Sequence, residues 1–270
     1  MVGDYKENFQ LSQLIDYFSF QFFDRSPVSC LTFVVYFGGE LGTTKRVYTV
    51  LSRVLNHTSQ VVLQCLESIL KRSEFTSINS IKWWSDGGPC FKSGEFALKL
   101  LSGIQISEIK SITFKLNYFE PQHGKLDVDS IFGIYANLLK HNLPSSGINS
   151  LHELMDFLLV EAPECLQQTI IEYDVDKLNE RVQNLKVDNF KKYLNFEVVD
   201  NILYSRLTSD ETEPASVSPF KSMKGKVKAQ LKKSDVSIDK ENMEKELVQY
   251  ELEQLLNKQS ISQFNSQQEI

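Results

Sequence analysis

A chain of 270 residues, 41% hydrophobic and 24% charged, suffices for one sizeable core or two small ones and has an ordinary globular composition. No run of about 18 apolar residues occurs, which argues against a transmembrane helix. The net charge of -6 argues against a polyanion binder that uses its whole surface, so any nucleic-acid contact must come from a local patch or through metal ions. The opening MVGDYKENF carries an acid at once and no apolar stretch, unlike a secretory signal. Cys30, Cys65, Cys90 and Cys165 are widely spread with no CxxC pair, the pattern of reduced intracellular thiols rather than of a disulfide framework or a structural zinc site.

The first strand-like segment is Val2–Phe9. Residues 28–38, VSCLTFVVYFG, are β-branched and aromatic and stop at Gly38-Gly39; a second such run, 44–51, follows the polar turn GELGT, so the pair predicts a β-hairpin. In 58–72 the apolar positions Val61, Val62, Cys65, Leu66, Ile69 and Leu70 form a helical stripe, with Thr58 or Ser59 as N-cap. Residues 77–84, SINSIKWW, predict a strand ending at the breaker cluster Ser85-Asp86-Gly87-Gly88-Pro89. A helix over 93–103, a strand over 110–119 and a helix over about 127–140 follow. An antiparallel hairpin feeding two strand–helix crossovers predicts an α/β fold, an RNase H-like mixed β-sheet flanked by helices. Beyond the core at 1–145, the stripes in HELMDFLLVEA and LNERVQNL predict a helical extension over 146–206. Ser, Pro, Lys and acids dominate 207–238, which reads as a disordered linker. The leucine spacing and i, i+4 charge pairs of 239–258 predict one exposed helix, in a tail that runs over 239–270.

Three acids stand where such a sheet would bring them together. Asp4 lies on the first strand, Asp86 where the fourth stops, and Asp129 near the start of the helix after the fifth. Clustered carboxylates repel one another unless divalent cations lie between them, and oxygen-only ligands suit Mg²⁺, with Mn²⁺ as substitute. A pair of such ions would activate an attacking water or 3′-hydroxyl and stabilise the leaving oxygen of a phosphodiester. Gly87 and Gly88 would let a DNA backbone approach Asp86 closely. Each acid also has a plainer explanation: Asp86 as a turn former before Gly-Gly, Asp4 as a solvated terminus, Asp129 as a helix N-terminal acid favoured by the dipole. Asp127 and Glu120 compete with Asp129 as third ligand.

The motifs around these acids resemble those of eukaryotic DDE/DDD cut-and-paste transposases of the Mutator-like lineage. Asp4-Tyr5-Lys6-Glu7-Asn8 is similar to their Asp-Phe-Lys-Glu-Asn motif, and Trp84-Ser85-Asp86-Gly87-Gly88-Pro89-Cys90-Phe91-Lys92 to their Trp-Ser-Asp-x-Gly-Pro-x-Phe-Arg/Lys segment. Phe119-Glu120-Pro121-Gln122-His123-Gly124-Lys125-Leu126-Asp127-Val128-Asp129 resembles their Phe-x-x-x-His-Gly-Lys-x-x-x-Asp block. The resemblance covers about residues 1–145. It implies a catalytic and metal-binding triad of Asp4, Asp86 and Asp129, with Mg²⁺ as cofactor. The implied partners are the double-stranded DNA ends of a mobile element (a mating-type cassette is one such element) and a second copy of the chain, and the implied location is the nucleus. His123, Lys125 and Lys92 would touch DNA, although a turn histidine and solvated lysines explain the first two equally simply.

The chain departs from the pattern in two places. Family members carry a DNA-binding region ahead of the first acid, where three residues stand here, and the Cys/His pair often found between the second and third acids is absent. A catalytically inactive, domesticated relic acting as a nuclear DNA- or protein-binding scaffold is the competing expectation. Trp83 and Trp84 alternate on a strand, which predicts one in the core and the other facing a helix or groove, and His57 reads as part of a helix entry. Lys221, Lys224, Lys226, Lys228, Lys232 and Lys233 form a basic stretch suited to DNA phosphates or nuclear import, or to a solvated linker.

Overall fold

In the computed structural model the chain divides into two compact units, Met1–Ser234 and Asp235–Ile270. The structure describes residues 1–11, 26–39, 42–120, 127–145, 147–148, 150–175, 178–179, 181–226 and 231–233, all within the first unit. The expected helix at 239–258 lies outside them, as do His123, Lys125 and Lys228.

The first half follows the predicted order. Strands β1 (Val2–Leu11), β2 (Ser26–Gly39) and β3 (Gly42–Ser52) lead into helix α1 (Ser59–Leu70), strand β4 (Ser80–Ser85) and helix α2 (Gly94–Leu101). Then come β5 (Ile104–Ser107), β6 (Lys110–Tyr118) and helix α3 (Asp127–His141). Thr58 caps α1 by accepting the Val61 N–H, and Ser93 caps α2 by accepting that of Phe96, so each helix starts where a hydroxyl satisfies an orphan donor.

The second half differs from expectation. After helix α4 (Leu151–Glu161) the chain forms strands β7 (Gln168–Glu172), β8 (Arg181–Leu185), β9 (Asn195–Val199) and β10 (Ile202–Arg206), so 146–206 is not a helical extension. Residues 207–238 are not wholly a disordered linker either, because β11 (Ser216–Pro219) and β12 (Ser222–Lys226) form there. Their partners explain this: β11 adds to the edge of β10, and β12 pairs antiparallel with β8 as a separate ribbon. Pairing with remote segments overrode a polar local composition.

The large sheet has ten strands in the order β11-β10-β9-β6-β4-β1-β2-β3-β7, with β5 paired to β6 off that path. At its centre β1 runs antiparallel to β2 and parallel to β4, and β4 runs parallel to β6. Among the described residues the fold is thus mixed α/β, a large mixed sheet flanked by four helices. Among the described residues no helix is long and apolar enough to cross a membrane.

Alternation along the strands sorts the two faces. Leu31, Phe33 and Val35 of β2, Tyr48 and Val50 of β3, and Trp83 of β4 pack with Val62, Leu66, Phe96 and Leu100 of α1 and α2 in one buried cluster. Trp83 is fully buried, with Phe96, Phe33 and Phe91 around its ring, whereas Trp84 stacks obliquely on Phe119 at the wall of an apolar groove. The opposite face carries Thr32 and Thr49, whose hydroxyls lie 3.0 Å apart. The Tyr135 hydroxyl of α3 lies 2.8 Å from that of Thr49 and donates to Gln168 Oε1 at 2.8 Å, while Gln168 Nε2 donates to the Leu158 carbonyl of α4. This buried polar chain fixes α3 and α4 against the sheet. Tyr135→Phe takes the donor from Gln168 Oε1 and leaves Thr49 with Thr32 alone, and should cost about 1–3 kcal/mol in urea denaturation; unchanged stability would show that apolar packing alone seats α3.

Candidate functional site

The position of the first acid follows from a close approach. Gly3 precedes Asp4 on β1, and a Cβ on Gly3 would lie 2.6 Å from the tip of the Trp83 ring. Only glycine lets β1 lie against that buried indole, and the signal was a glycine inside a strand. In β1 and β4, parallel neighbours, Val2 pairs with Trp84. Asp4 and Asp86 each stand two residues beyond that pair, so period-two alternation brings them to the same face, side by side. That face is the one α3 covers: Asp4 pairs with Thr32, which bonds through Thr49 to Tyr135. Asp129 lies in the first turn of α3. Packing on β1 carries it toward the other two.

The electrostatics record this proximity. Burial first, then the charges of Asp86 and Asp129, raise the Asp4 carboxyl from 3.8 to about 6, against the opposing effect of the Tyr5 N–H, which donates to Asp4 Oδ1 at 2.8 Å. Asp127 instead pairs with Lys45 of β3 at 3.8 Å, and neither it nor Glu120 figures among the charges acting on Asp4. Asp129 is among the charges that act on Asp4. Lys6, two residues along β1, holds its ammonium 5.5 Å from the Phe9 ring and 5.8 Å from that of Phe132 on α3.

Asp86 is exposed, and its Oδ1 accepts the Gly88 N–H at 3.0 Å. A Cβ on Gly88 would lie 2.9 Å from that same oxygen, whereas Gly87 has only the Lys92 stem at 3.9 Å. The glycine demand at this turn therefore comes from Asp86 itself at Gly88. Tyr118 of β6 donates to the Phe91 carbonyl at 3.0 Å and ties the turn to the sheet. The Lys92 ammonium donates to the Lys191 carbonyl at 3.0 Å, 5.2 Å from the Tyr118 ring, and its pKa is lowered by burial. His57 lies on the other side of the sheet, stacked on Tyr5 at 4.0 Å with Nε2 3.2 Å from the Ser29 hydroxyl. Cys30, Cys65 and Cys90 are free and buried, each pushed up to about 12 chiefly by burial, so they stay thiols at neutral pH.

Oxygen-only donors suit a hard divalent cation. As the side chains stand, no three His, Cys, Asp or Glu among the described residues are close enough to hold one ion. Holding one requires the exposed Asp86 and Asp129 carboxylates to turn toward Asp4, exchanging mutual repulsion for a shared cation.

This arrangement defines an acidic site at the centre of a mixed α/β sheet. The chain belongs to the family described as a domain of unknown function, DUF8701, whose model matches residues 1–205 and so spans all three acids. No curated protein and no solved structure matches it.

The raised Asp4 pKa has a consequence for stability. Its favourable contribution is fully present below 3.8 and lost as pH rises through about 6. Asp4→Asn should therefore match the parent near pH 4 and melt a few degrees higher at pH 7, in thermal melts with chelator present. A difference that does not change with pH would contradict the burial of Asp4 beside two other charges.

Proposed function

We propose that this chain is an RNase H-like DNA phosphoryl-transfer protein of the transposase class. The single observation that carries the reading is the parallel β1–β4 pairing, which sets Asp4 beside Asp86 under the helix bearing Asp129. Two further features support it. The antiparallel β1–β2–β3 meander, joined through β1 to parallel β4 and β6, is the plan an RNase H-like sheet requires. The motifs resembling transposase signatures fall on the three acids.

In this reading Asp4, Asp86 and Asp129 hold Mg²⁺ or Mn²⁺, which when bound supplies Lewis-acid activation of the nucleophile and stabilisation of the leaving oxygen. Asp4 is the half-buried anchor, seated by the Tyr5 N–H and by the sheet. Asp86 and Asp129 are the exposed arms that meet the incoming phosphodiester. The Gly87-Gly88 turn keeps bulk away from Asp86, so a nucleic-acid backbone can come close. The substrate is duplex DNA at the ends of a mobile element, and a nuclear location follows from that reading.

A second reading, a non-catalytic DNA- or protein-binding scaffold on the same fold, is favoured by one observation: Asp86 is engaged in its own turn and the acids are not drawn together as they stand. Plasmid nicking in Mn²⁺ separates the two. The enzyme reading expects nicked product, reduced roughly 100-fold or more in Asp86→Asn with unchanged melting. Absence of nicking under conditions where the protein binds the plasmid favours the scaffold. Equal nicking by Asp86→Asn removes that residue from the chemistry.

A further inference from the structure

The second half of the chain carries exposed lysines on the β8–β12 ribbon and on a loop bonded to the turn that bears Asp86. Strands β8 and β12 form their two-stranded ribbon with Lys224 opposite Gln183. Beyond its end the Lys186 N–H donates to the Lys221 carbonyl at 2.9 Å, which sets those two lysines side by side. The loop that continues from Lys186 turns at Asn189, held at φ 55, and then presents Lys191 and Lys192. Its Lys191 carbonyl takes the Lys92 ammonium at 3.0 Å, so the loop is fastened to the same turn that carries Asp86.

Lys186, Lys191, Lys192, Lys221 and Lys224 are all exposed. None of them forms an ion pair among the described residues, although Asp188 lies exposed in the same loop. Five uncompensated ammonium groups in one region of a chain with net charge -6 set up a local positive field against an acidic background. Lysine is a mobile point charge that meets phosphate without reading bases.

We propose that the β8–β12 ribbon and the loop after β8 form a track for the phosphate backbone of duplex DNA, laid so that the duplex runs past Asp86. The choice of duplex DNA as partner rests on the reading given under Proposed function. The track holds DNA without sequence preference and without metal.

The test is anisotropy of a labelled duplex of about 30 base pairs, long enough to span the track, with the full chain in chelator and at several salt concentrations. Wild type should bind with a log–log salt slope of about -0.9 per phosphate contacted. Replacing the five lysines by glutamine should flatten the slope by about 4 and weaken binding at least about 100-fold near 0.1 M salt. Replacing Lys71 and Lys140, which lie elsewhere, should change neither. If the five-fold variant does not fold, the pairs K191Q/K192Q and K221Q/K224Q should each flatten the slope by about 2. An unchanged slope in the folded lysine variants, equal loss in the distant control, or capture by phosphatidylserine vesicles with no duplex binding would overturn the proposal. Lysine-dependent binding without nicking keeps the track and removes the enzyme; nicking with no change on lysine replacement does the reverse.

Discussion

The Trp83 indole presses against β1 at Gly3, and the geometry of the site descends from that contact. Any side chain there would hold β1 off the sheet or displace a fully buried ring from among Phe33, Phe91 and Phe96. With glycine the strand seats, Val2 falls into register with Trp84, and the next positions on that face are Asp4 and Asp86. The same indole also donates to the Ser85 hydroxyl at 3.0 Å, which helps fix the end of β4 where Asp86 emerges. One aromatic ring thus sets both the lateral position of the first acid and the strand end that carries the second.

Seating a carboxylate there is unfavourable, since burial and two neighbouring charges raise its pKa to about 6. The fold holds Asp4 in place by pairing β1 along most of β2 and by covering the face with α3, itself anchored by the Tyr135 hydroxyl. A group kept in an environment that disfavours its charged form is a common mark of function, although ion-pair networks also perturb pKa. What distinguishes Asp4 is that the charges acting on it have the same sign. A divalent cation bound there would turn that repulsion into attraction.

Much of the first half was legible in the sequence because its elements are long, periodic and locally bounded. The stripe from Val61 to Leu70 could only be a helix, and the run at 28–38 followed by Gly38-Gly39 could only turn back on itself. The three acids drew notice in the sequence only through their motifs; in the structure Asp127 pairs with Lys45 of β3, and Asp129 acts on Asp4. The second half was misread for a physical reason. Leu178, Val182 and Leu185 are spaced as on a helix, yet β8 pairs with β12 some 40 residues away, and no local pattern encodes that partner. Strand β11, at the edge of the large sheet, leaves half its residues exposed and so lacks the apolar alternation that announces a strand. Gly3 and the Lys191 carbonyl, which position Asp4 and Lys92, matter through contacts at distances that sequence does not display.

The proposed function requires Asp4, Asp86 and Asp129 to converge on a divalent cation. Diffraction from crystals soaked in Mn²⁺, with anomalous differences collected near the manganese edge, tests this directly. Anomalous density is expected between the carboxylates, with oxygens of Asp4 and Asp86 at about 2.0–2.3 Å from the ion and Asp129 turned toward it. Crystals with full manganese access and anomalous density only elsewhere, or with Asp86 still bonded to Gly88 and turned away from Asp4, would contradict it.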